Sequence, residues 1–229
     1  MGAAVVDYSA GGYFTANPST FHPGMPSSSF VPKPAAMTHA ELAQLQQDCI
    51  GRINMYRSGA LKFSNGSSDP GVPKPPVTNL MGNNACSAAS ALGDLYVNGG
   101  TGSGGVCAGA HRNAFSCPGG DIGQNTCCLR TAATYAEVRA QLYSCLQYMW
   151  DEGIGLPDNS SFTSANGHWY NMRRADAAYA QCGFAFTANG RVWMNQDFLQ
   201  SAGAVPLVCS CAGKNIGDPD GCGRTCVSN

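Results

Sequence analysis

The feature that most constrains this chain is its cysteine content. The sequence carries 12 cysteines and 29 glycines among 229 residues, and only 12% of its residues are charged. An even number of cysteines in a glycine-rich chain with few charges is typical of a disulfide framework built in an oxidising compartment. The paired C-x-x-C knuckles of a cytosolic zinc protein are absent from the sequence. We therefore expect a secreted, extracellular protein in which most or all of the cysteines are bridged.

Charge and hydropathy exclude two classes of partner. The formal net charge is -1, and the sequence has no basic cluster of the kind that nucleic-acid binding requires. No run approaches the roughly 18 apolar residues that span a bilayer, so no transmembrane segment is expected. Residues 1–10 are too short and too polar for the apolar core of a signal peptide. With 44% hydrophobic residues, the chain can bury the core of one full domain.

Composition divides the chain into three parts. Residues 1–37 form an extended arm rich in Pro, Gly and Ser, with no apolar periodicity, and we expect it to lack regular structure. The arm also holds aromatic residues, which pack either on its own domain or on a partner. Residues 38–205 are predicted to form the folded domain. Residues 206–229 carry four cysteines in a tail too small to build a core, so disulfides must hold the tail.

Local signals predict three helices. Residues 38–41 and 134–137 each have the T-x-x-E pattern of a capping box, which satisfies free amides at a helix start. Apolar residues at steps of three and four follow both boxes, as expected for a helix with one buried face. A further helix is predicted over residues 85–97, where many small side chains favour close packing.

Two strands are predicted near the end of the domain. Residues 182–186 and 191–195 are strand-like and flank Asn189-Gly190, and Asn-Gly between two such runs is the strongest short signal of a β-hairpin. Helices before and after an antiparallel sheet predict an α+β sandwich with helices on both faces of the sheet.

Five side chains are candidates for function or modification: two histidines, one glutamate and two asparagines. Two of the four histidines of the chain, His111 and His168, lie in Gly- or Asn-rich, loop-like segments of the domain. Glu152, at the end of a predicted helix, lies between them in sequence. Two imidazoles and a carboxylate are suited to binding a divalent metal ion or to acid–base chemistry. Asn65 and Asn159 each begin an N-glycosylation sequon, which is used only in a secreted protein.

Several motifs then follow one another in an order that resembles the CAP superfamily, which comprises cysteine-rich secretory proteins, antigen 5 and plant pathogenesis-related 1 proteins. The resemblance covers about residues 38–200. Its motifs are Asn54-x-x-Arg57, His111 in a loop, Gly123-Gln124-Asn125, Trp150-Asp151-Glu152, Gly167-His168-Trp169-Tyr170 and Cys182-Gly183.

The resemblance implies a secreted, disulfide-stapled α-β-α sandwich of three layers, with a cleft lined by two histidines and two acidic residues. Matched motif by motif, the cleft residues are His111, Gln124, Glu152 and His168, and His111 and His168 are the implied ligands of zinc or another divalent ion. Gln124 stands where the family has an acid, and Trp169 stands where it usually has Tyr. One carboxylate of the implied cleft is therefore missing.

Three functions compete at this point. The leading expectation is a non-enzymatic CAP protein with no catalytic residues, which binds a divalent metal in the cleft and a lipid, sterol or extracellular protein elsewhere. The alternative is a structural subunit of an extracellular assembly, which would use the arm and the tail. A metal-dependent hydrolase comes last, because Glu152 cannot serve both as metal ligand and as general base. The adjacent Cys127 and Cys128 are expected to pair with different distant cysteines rather than to act as a redox pair.

Overall fold

The structure is a computed structural model that describes residues 6–7, 13–14, 30–31, 33–80, 84–97 and 120–202. Its main element is a five-stranded sheet in which four strands follow the order β3-β6-β7-β5 and β4 pairs with β6. The β4–β6 pair is parallel and the others are antiparallel, so the sheet is mixed where the sequence predicts an antiparallel one. The strands of this sheet are β3 (Phe30–Val31), β4 (Thr78–Asn79), β5 (Asp121–Leu129), β6 (Tyr179–Thr187) and β7 (Val192–Leu199).

The predicted hairpin is confirmed as β6 and β7, which are longer than the sequence indicates. The two strands pair antiparallel over their full length, from Tyr179 opposite Leu199 to Phe186 opposite Val192. Strand β5 pairs with the other edge of β7 and is not predicted from the sequence. Its residues 124–126 are polar, so the alternation that marks a half-buried strand is missing.

Helices cover both faces of the sheet, as predicted. Helices α1 (His39–Arg57) and α3 (Tyr135–Asp151) pack against each other on one face, and α2 (Asn84–Val97) covers the opposite face. Both predicted capping boxes are present, at Thr38 and at Thr134. A fourth, short helix, α4 (Gly167–Arg173), lies against α3 and β5. The sequence does not predict α4, because no side chain caps its start.

The alternation of β6 and β7 side chains separates two apolar cores. Phe184 and Phe186 point to the face of α1 and α3, where the larger core lies. Ala185 and Trp193 point to α2 and form a smaller core with the helix residues Ala91, Leu92 and Leu95. The three-layer α-β-α sandwich is therefore confirmed.

Two disulfides tie the helices α1 and α3 to the sheet. Cys49 of α1 bridges Cys182 of β6, and Cys127 of β5 bridges Cys145 of α3. Cys128 is also bridged, so the prediction that Cys127 and Cys128 do not form a redox pair with each other is confirmed. No cysteine is free among those whose side chains the structure describes.

Parts of the arm carry regular structure, against expectation. Strands β1 (Val6–Asp7) and β2 (Tyr13–Phe14) pair with each other, and β3 joins the main sheet beside β6. The prediction that residues 1–37 lack regular structure is therefore wrong at these three places. Residues 30–31 are held by backbone pairing with β6, a distant part of the chain that the local sequence does not reveal. The predicted tail, residues 206–229, lies outside the described residues.

Within the ranges that the structure describes, no helix combines the length and the hydrophobicity that crossing a bilayer requires.

Candidate functional site

Glu152 and His168 form the centre of the candidate site. Glu152 follows the last residue of α3, and His168 is the second residue of α4. Glu152 Oε1 lies 2.6 Å from His168 Nδ1, and Glu152 Oε2 accepts a hydrogen bond of 3.0 Å from the backbone N–H of His168. One carboxylate thus fixes both the imidazole ring and the backbone that carries it.

This pairing leaves one imidazole nitrogen for a ligand. Among the described residues, His168 Nε2 has no hydrogen-bond partner, and the side chain of His168 is 32% exposed, against 16% for Glu152. Histidines that bind metals commonly donate their other ring N–H to a carboxylate, which fixes the tautomer and raises the basicity of the ligating nitrogen. The pair therefore has the geometry of a single oriented ligand with its supporting carboxylate.

Trp169 anchors the helix that carries His168. Its ring is fully buried, its Nε1–H donates to Asp69 Oδ2 at 2.6 Å, and the guanidinium of Arg173 lies 4.3 Å from the ring centre. A Cβ atom at Gly153 would come within 2.2 Å of Trp169 Nε1, so the residue after Glu152 must be glycine for the indole to fit. Trp169 thus makes a buried hydrogen bond from a ring N–H, and it stands where the CAP motif usually has Tyr.

Asn125 and Asn171 attach α4 to strand β5. Asn125 Nδ2 donates to the backbone carbonyl of His168 at 3.1 Å, and Asn171 Nδ2 donates to Asn125 Oδ1 at 2.9 Å. Both asparagines are buried. Asn125 therefore reaches the candidate site, although the CAP resemblance implies that its neighbour Gln124 lines the cleft.

Gln124 points away from Glu152 and His168. Successive side chains of a strand lie on opposite faces, so Gln124 lies on the α2 face while Asn125 lies on the face of α4. Gln124 Nε2 donates to Ser90 Oγ at 2.9 Å and to Asp197 Oδ1 at 2.8 Å. The structure therefore brings Glu152 and His168 together and does not bring the side chain of Gln124 to them.

The partners of Gln124 belong to a buried polar cluster between α2 and the sheet. Asp197 accepts a hydrogen bond from Ser87, and Asn195 Nδ2 donates to Ser90 Oγ at 2.9 Å and to Asp94 Oδ2 at 3.0 Å. Burial, with the nearby charges of Asp121 and Asp94, raises the pKa of Asp197 to about 7, while the bonds from Ser87 and Gln124 act in the opposite direction. Sequence reasoning missed this cluster, although Ser87, Ser90 and Asp94 follow the three- and four-residue steps of one helix face.

The Asn54-x-x-Arg57 motif has a structural role. Asn54 bonds both the N–H and the carbonyl of Val77, at 2.8 and 2.9 Å. The fully buried Arg57 donates to the carbonyls of Pro75, Met172, Arg174 and Ala177. Burial lowers the pKa of Arg57 to about 10, so the guanidinium remains charged at neutral pH. The motif holds the end of α4 and the segment before β4 against α1.

Comparison with known proteins gives a likeness in structure only. No protein-family model matches the chain, and no curated protein matches it. The solved structure of BmVAL-1 is similar, with a TM-score of 0.44 and 14% identity over 69% of this chain and 77% of that one. The crystal structure of Na-ASP-1 gives a TM-score of 0.43 and 12% identity over 85% of this chain, which spans 47% of Na-ASP-1. Both are SCP/CAP, venom allergen-like proteins, the superfamily that the motif order resembles.

The other predicted site residues are His111, Asn65 and Asn159. His111 lies outside the described residues. Asn65 and Asn159 are both exposed, and Asn65 Oδ1 accepts hydrogen bonds from the N–H and the hydroxyl of Ser67 in the same sequon.

In the part of the chain that the structure describes, no three His, Cys, Asp or Glu side chains are grouped as a metal site.

Proposed function

We propose that the protein is an extracellular, non-enzymatic CAP-type binding protein in which His168 is one ligand of an exchangeable divalent metal ion, such as zinc. The observation that carries the proposal is the 2.6 Å contact between Glu152 Oε1 and His168 Nδ1, which leaves Nε2 without a hydrogen-bond partner among the described residues. An imidazole held in this way loses little rotational freedom when it binds an ion.

The chemistry of the available donors fits a weak site. His168 Nε2 and the imidazole of His111 would hold the ion, and Glu152 would support His168 without binding the metal. Gln124 would take no part, since its amide is engaged on the other face of the sheet. Two imidazoles are fewer ligands than the four of a structural zinc site, so the ion should exchange and the fold should not depend on it. Bound there, the ion would supply a positive charge that attracts an anionic or oxygen-bearing ligand.

The bonds of Glu152 favour binding over hydrolysis. A metal-dependent hydrolase needs a carboxylate or imidazole free to take a proton from the attacking water. Glu152 already accepts from the His168 backbone and contacts the His168 ring, so the carboxylate is engaged as a support. The CAP resemblance alone suggests a lipid, sterol or extracellular protein as a further ligand.

The arm gives limited support to the alternative, a structural subunit of an extracellular assembly. Residues 30–31 pair with β6 of their own domain. Since that strand edge is taken by the same chain, this end of the arm is attached to its own sheet and is not a free strap for a partner.

Calorimetric titration with zinc tests the metal proposal. Wild type should bind one ion, and affinity should fall at lower pH because protonated imidazole cannot ligate. His168→Ala and His111→Ala should each abolish binding, and Glu152→Gln should weaken it by about tenfold or more, the usual effect of losing a supporting partner. His39→Ala, which removes an imidazole at the start of α1, is the matched control. Equal binding by wild type and His168→Ala would refute the proposal.

Thiol titration tests the extracellular assignment. In the denatured but unreduced protein, at most one or two of the 12 cysteines should react, because a charge-poor chain of this kind depends on cross-links. Six or more reactive thiols would contradict both the disulfide framework and secretion.

A further inference from the structure

A second site lies between α1 and α3, away from Glu152 and His168. A solvent-open groove of about 420 Å³ is lined there by Arg52 of α1 and by Tyr143, Ser144, Gln147, Tyr148 and Asp151 of α3. Its volume lies within the range of small-molecule sites, roughly 300–1,000 Å³.

Arg52 provides a positive charge that forms no ion pair with any described residue. Its guanidinium lies near two tyrosine rings, 4.8 Å from the centre of Tyr143 and 5.4 Å from that of Tyr56. No carboxylate of the described residues lies within ion-pair distance of the guanidinium, and since its Nε–H is buried, a ligand would meet the Nη groups. Contact with the two rings restricts the motion of the guanidinium, which reduces the entropy lost when it binds a carboxylate.

Arg139, the other arginine that stacks on Tyr143, has a carboxylate partner. Arg139 also lies 4.8 Å from the ring centre of Tyr143, but its Nε lies 2.9 Å from Asp48 Oδ2. Asp48 accepts a further bond of 2.6 Å from Tyr135. Of the two arginines that stack on Tyr143, only Arg52 thus lacks a carboxylate partner within the described chain.

Asp151 provides a negative charge on the same groove. Its Oδ1 accepts from the Ser64 N–H at 2.8 Å and from Gln147 Nε2 at 2.9 Å, while its Oδ2 has no hydrogen bond within the described residues. Tyr148, 73% exposed, supplies an aromatic face beside these charges. A cation, an anion and an aromatic ring are thus displayed together without satisfying one another.

We propose that this groove binds a small zwitterion, an α-amino acid with an apolar side chain. Arg52 would bind the carboxylate, Asp151 Oδ2 would accept from the ammonium group, and Tyr148 would pack on the side chain. Charge-assisted hydrogen bonds of opposite sign at the two ends of one ligand give both orientation and selectivity. The proposal is independent of metal binding at His168.

Three matched probes test the two charges separately on the full-length, oxidised protein. L-phenylalanine has both charges, 3-phenylpropanoate lacks the ammonium group, and 2-phenylethylamine lacks the carboxylate. In NMR titrations, phenylalanine should give saturable shifts around residues 144–151, and each analogue should bind about tenfold more weakly, as expected for the loss of one charge-assisted bond.

Variants should remove the two charges one at a time. Arg52→Gln should weaken binding of phenylalanine by about tenfold and leave 2-phenylethylamine unchanged, whereas Asp151→Asn should weaken phenylalanine similarly and leave 3-phenylpropanoate unchanged. Asn retains the Oδ1 that Ser64 and Gln147 bond. Arg139→Gln is the control. Arg139 stacks on the same Tyr143, and the variant should bind phenylalanine as wild type does.

Two outcomes would overturn the proposal. Equal binding of phenylalanine and 3-phenylpropanoate by wild type would show a carboxylate site that does not use Asp151. Shifts that fail to saturate with any probe would show that the groove has no ligand of this class. The probe series on wild type decides the question even if Arg52→Gln fails to fold.

Discussion

Gly183 of β6 lies directly beneath Ala88 of α2. A Cβ atom at residue 183 would come within 1.9 Å of the Ala88 backbone nitrogen, and this atom cannot move aside as a flexible side chain can. The absence of a side chain at Gly183 therefore sets how closely α2 approaches the sheet, and with it the geometry of the buried polar cluster.

Gly183→Ala should destabilise the protein by about 3 kcal/mol, because α2 must shift to relieve the overlap. Gly51→Ala is the matched control, since Gly51 is an exposed position of helix α1 with no atom within 4 Å of a new Cβ. That substitution should stabilise the protein by about 0.8 kcal/mol through helix propensity. Chemical denaturation measures both, and equal effects of the two substitutions would contradict the close packing of α2.

Asp197 should make stability depend on pH. Its folded pKa of about 7 is above the value of about 3.9 in an unfolded chain, so the native state binds an extra proton between these two pH values. The resulting stabilisation is complete below about pH 4 and is lost as the pH rises through 7, by up to about 4 kcal/mol. Asp197→Asn, which stays neutral, should flatten this part of the profile. Denaturation curves from pH 4 to 8 check the sign; a wild-type profile as flat as the variant's would refute it.

Gln124→Glu should destabilise the protein at neutral pH and add no metal ligand. The new carboxylate would replace the amide that donates to Asp197 Oδ1 at 2.8 Å, which leaves two buried acids facing each other. The expected cost is about 1–3 kcal/mol, and less at low pH, where protonation removes the repulsion. Gln44→Glu is the control. Gln44 donates to Asp48 at 3.1 Å on the surface, and loss of this hydrogen bond should cost under about 0.5 kcal/mol. A gain in zinc affinity on Gln124→Glu would show that residue 124 reaches the cleft after all.

The two described disulfides should differ in their contribution to stability. Cys49–Cys182 joins residues 133 apart and Cys127–Cys145 joins residues 18 apart. Loop-closure entropy assigns about 5 kcal/mol to the first and about 3 kcal/mol to the second. Replacing each pair by alanine and measuring thermal unfolding should give the larger loss for Cys49 and Cys182. The opposite order would mean that strain or residual structure, and not loop length, decides the effect.

Local signals predicted the elements that local chemistry determines. Each capping box is complete within four residues, so the starts of α1 and α3 followed from Thr38 and Thr134. The turn at Asn189-Gly190 likewise fixed the β6–β7 hairpin. These predictions succeeded because the partners that stabilise each feature are close in sequence.

Strand β5 and the position of Gln124 depend on distant partners. The polar residues of β5 are buried because α2, α4 and β7 supply their hydrogen bonds, and no such partner is visible in the sequence around Gln124. Because β5 was not predicted, its side-chain alternation, which places Gln124 and Asn125 on opposite faces, could not be used to position them. The pair Glu152 and His168 was named from the sequence, but its 2.6 Å contact depends on how α4 packs against α3.

The bridge between Cys49 and Cys182 also determines how the chain responds to mechanical force. When the oxidised protein is stretched by its ends, residues 49–182 lie inside a covalent loop, so the pulling force passes from one cysteine to the other and the enclosed residues bear no load. The segments before Cys49 and after Cys182 lie outside this loop and carry the load. Reduction of this one bond would release at most about 390 Å of extra contour length, because the Cys127–Cys145 bridge inside the loop would stay closed and withhold its 18 residue steps.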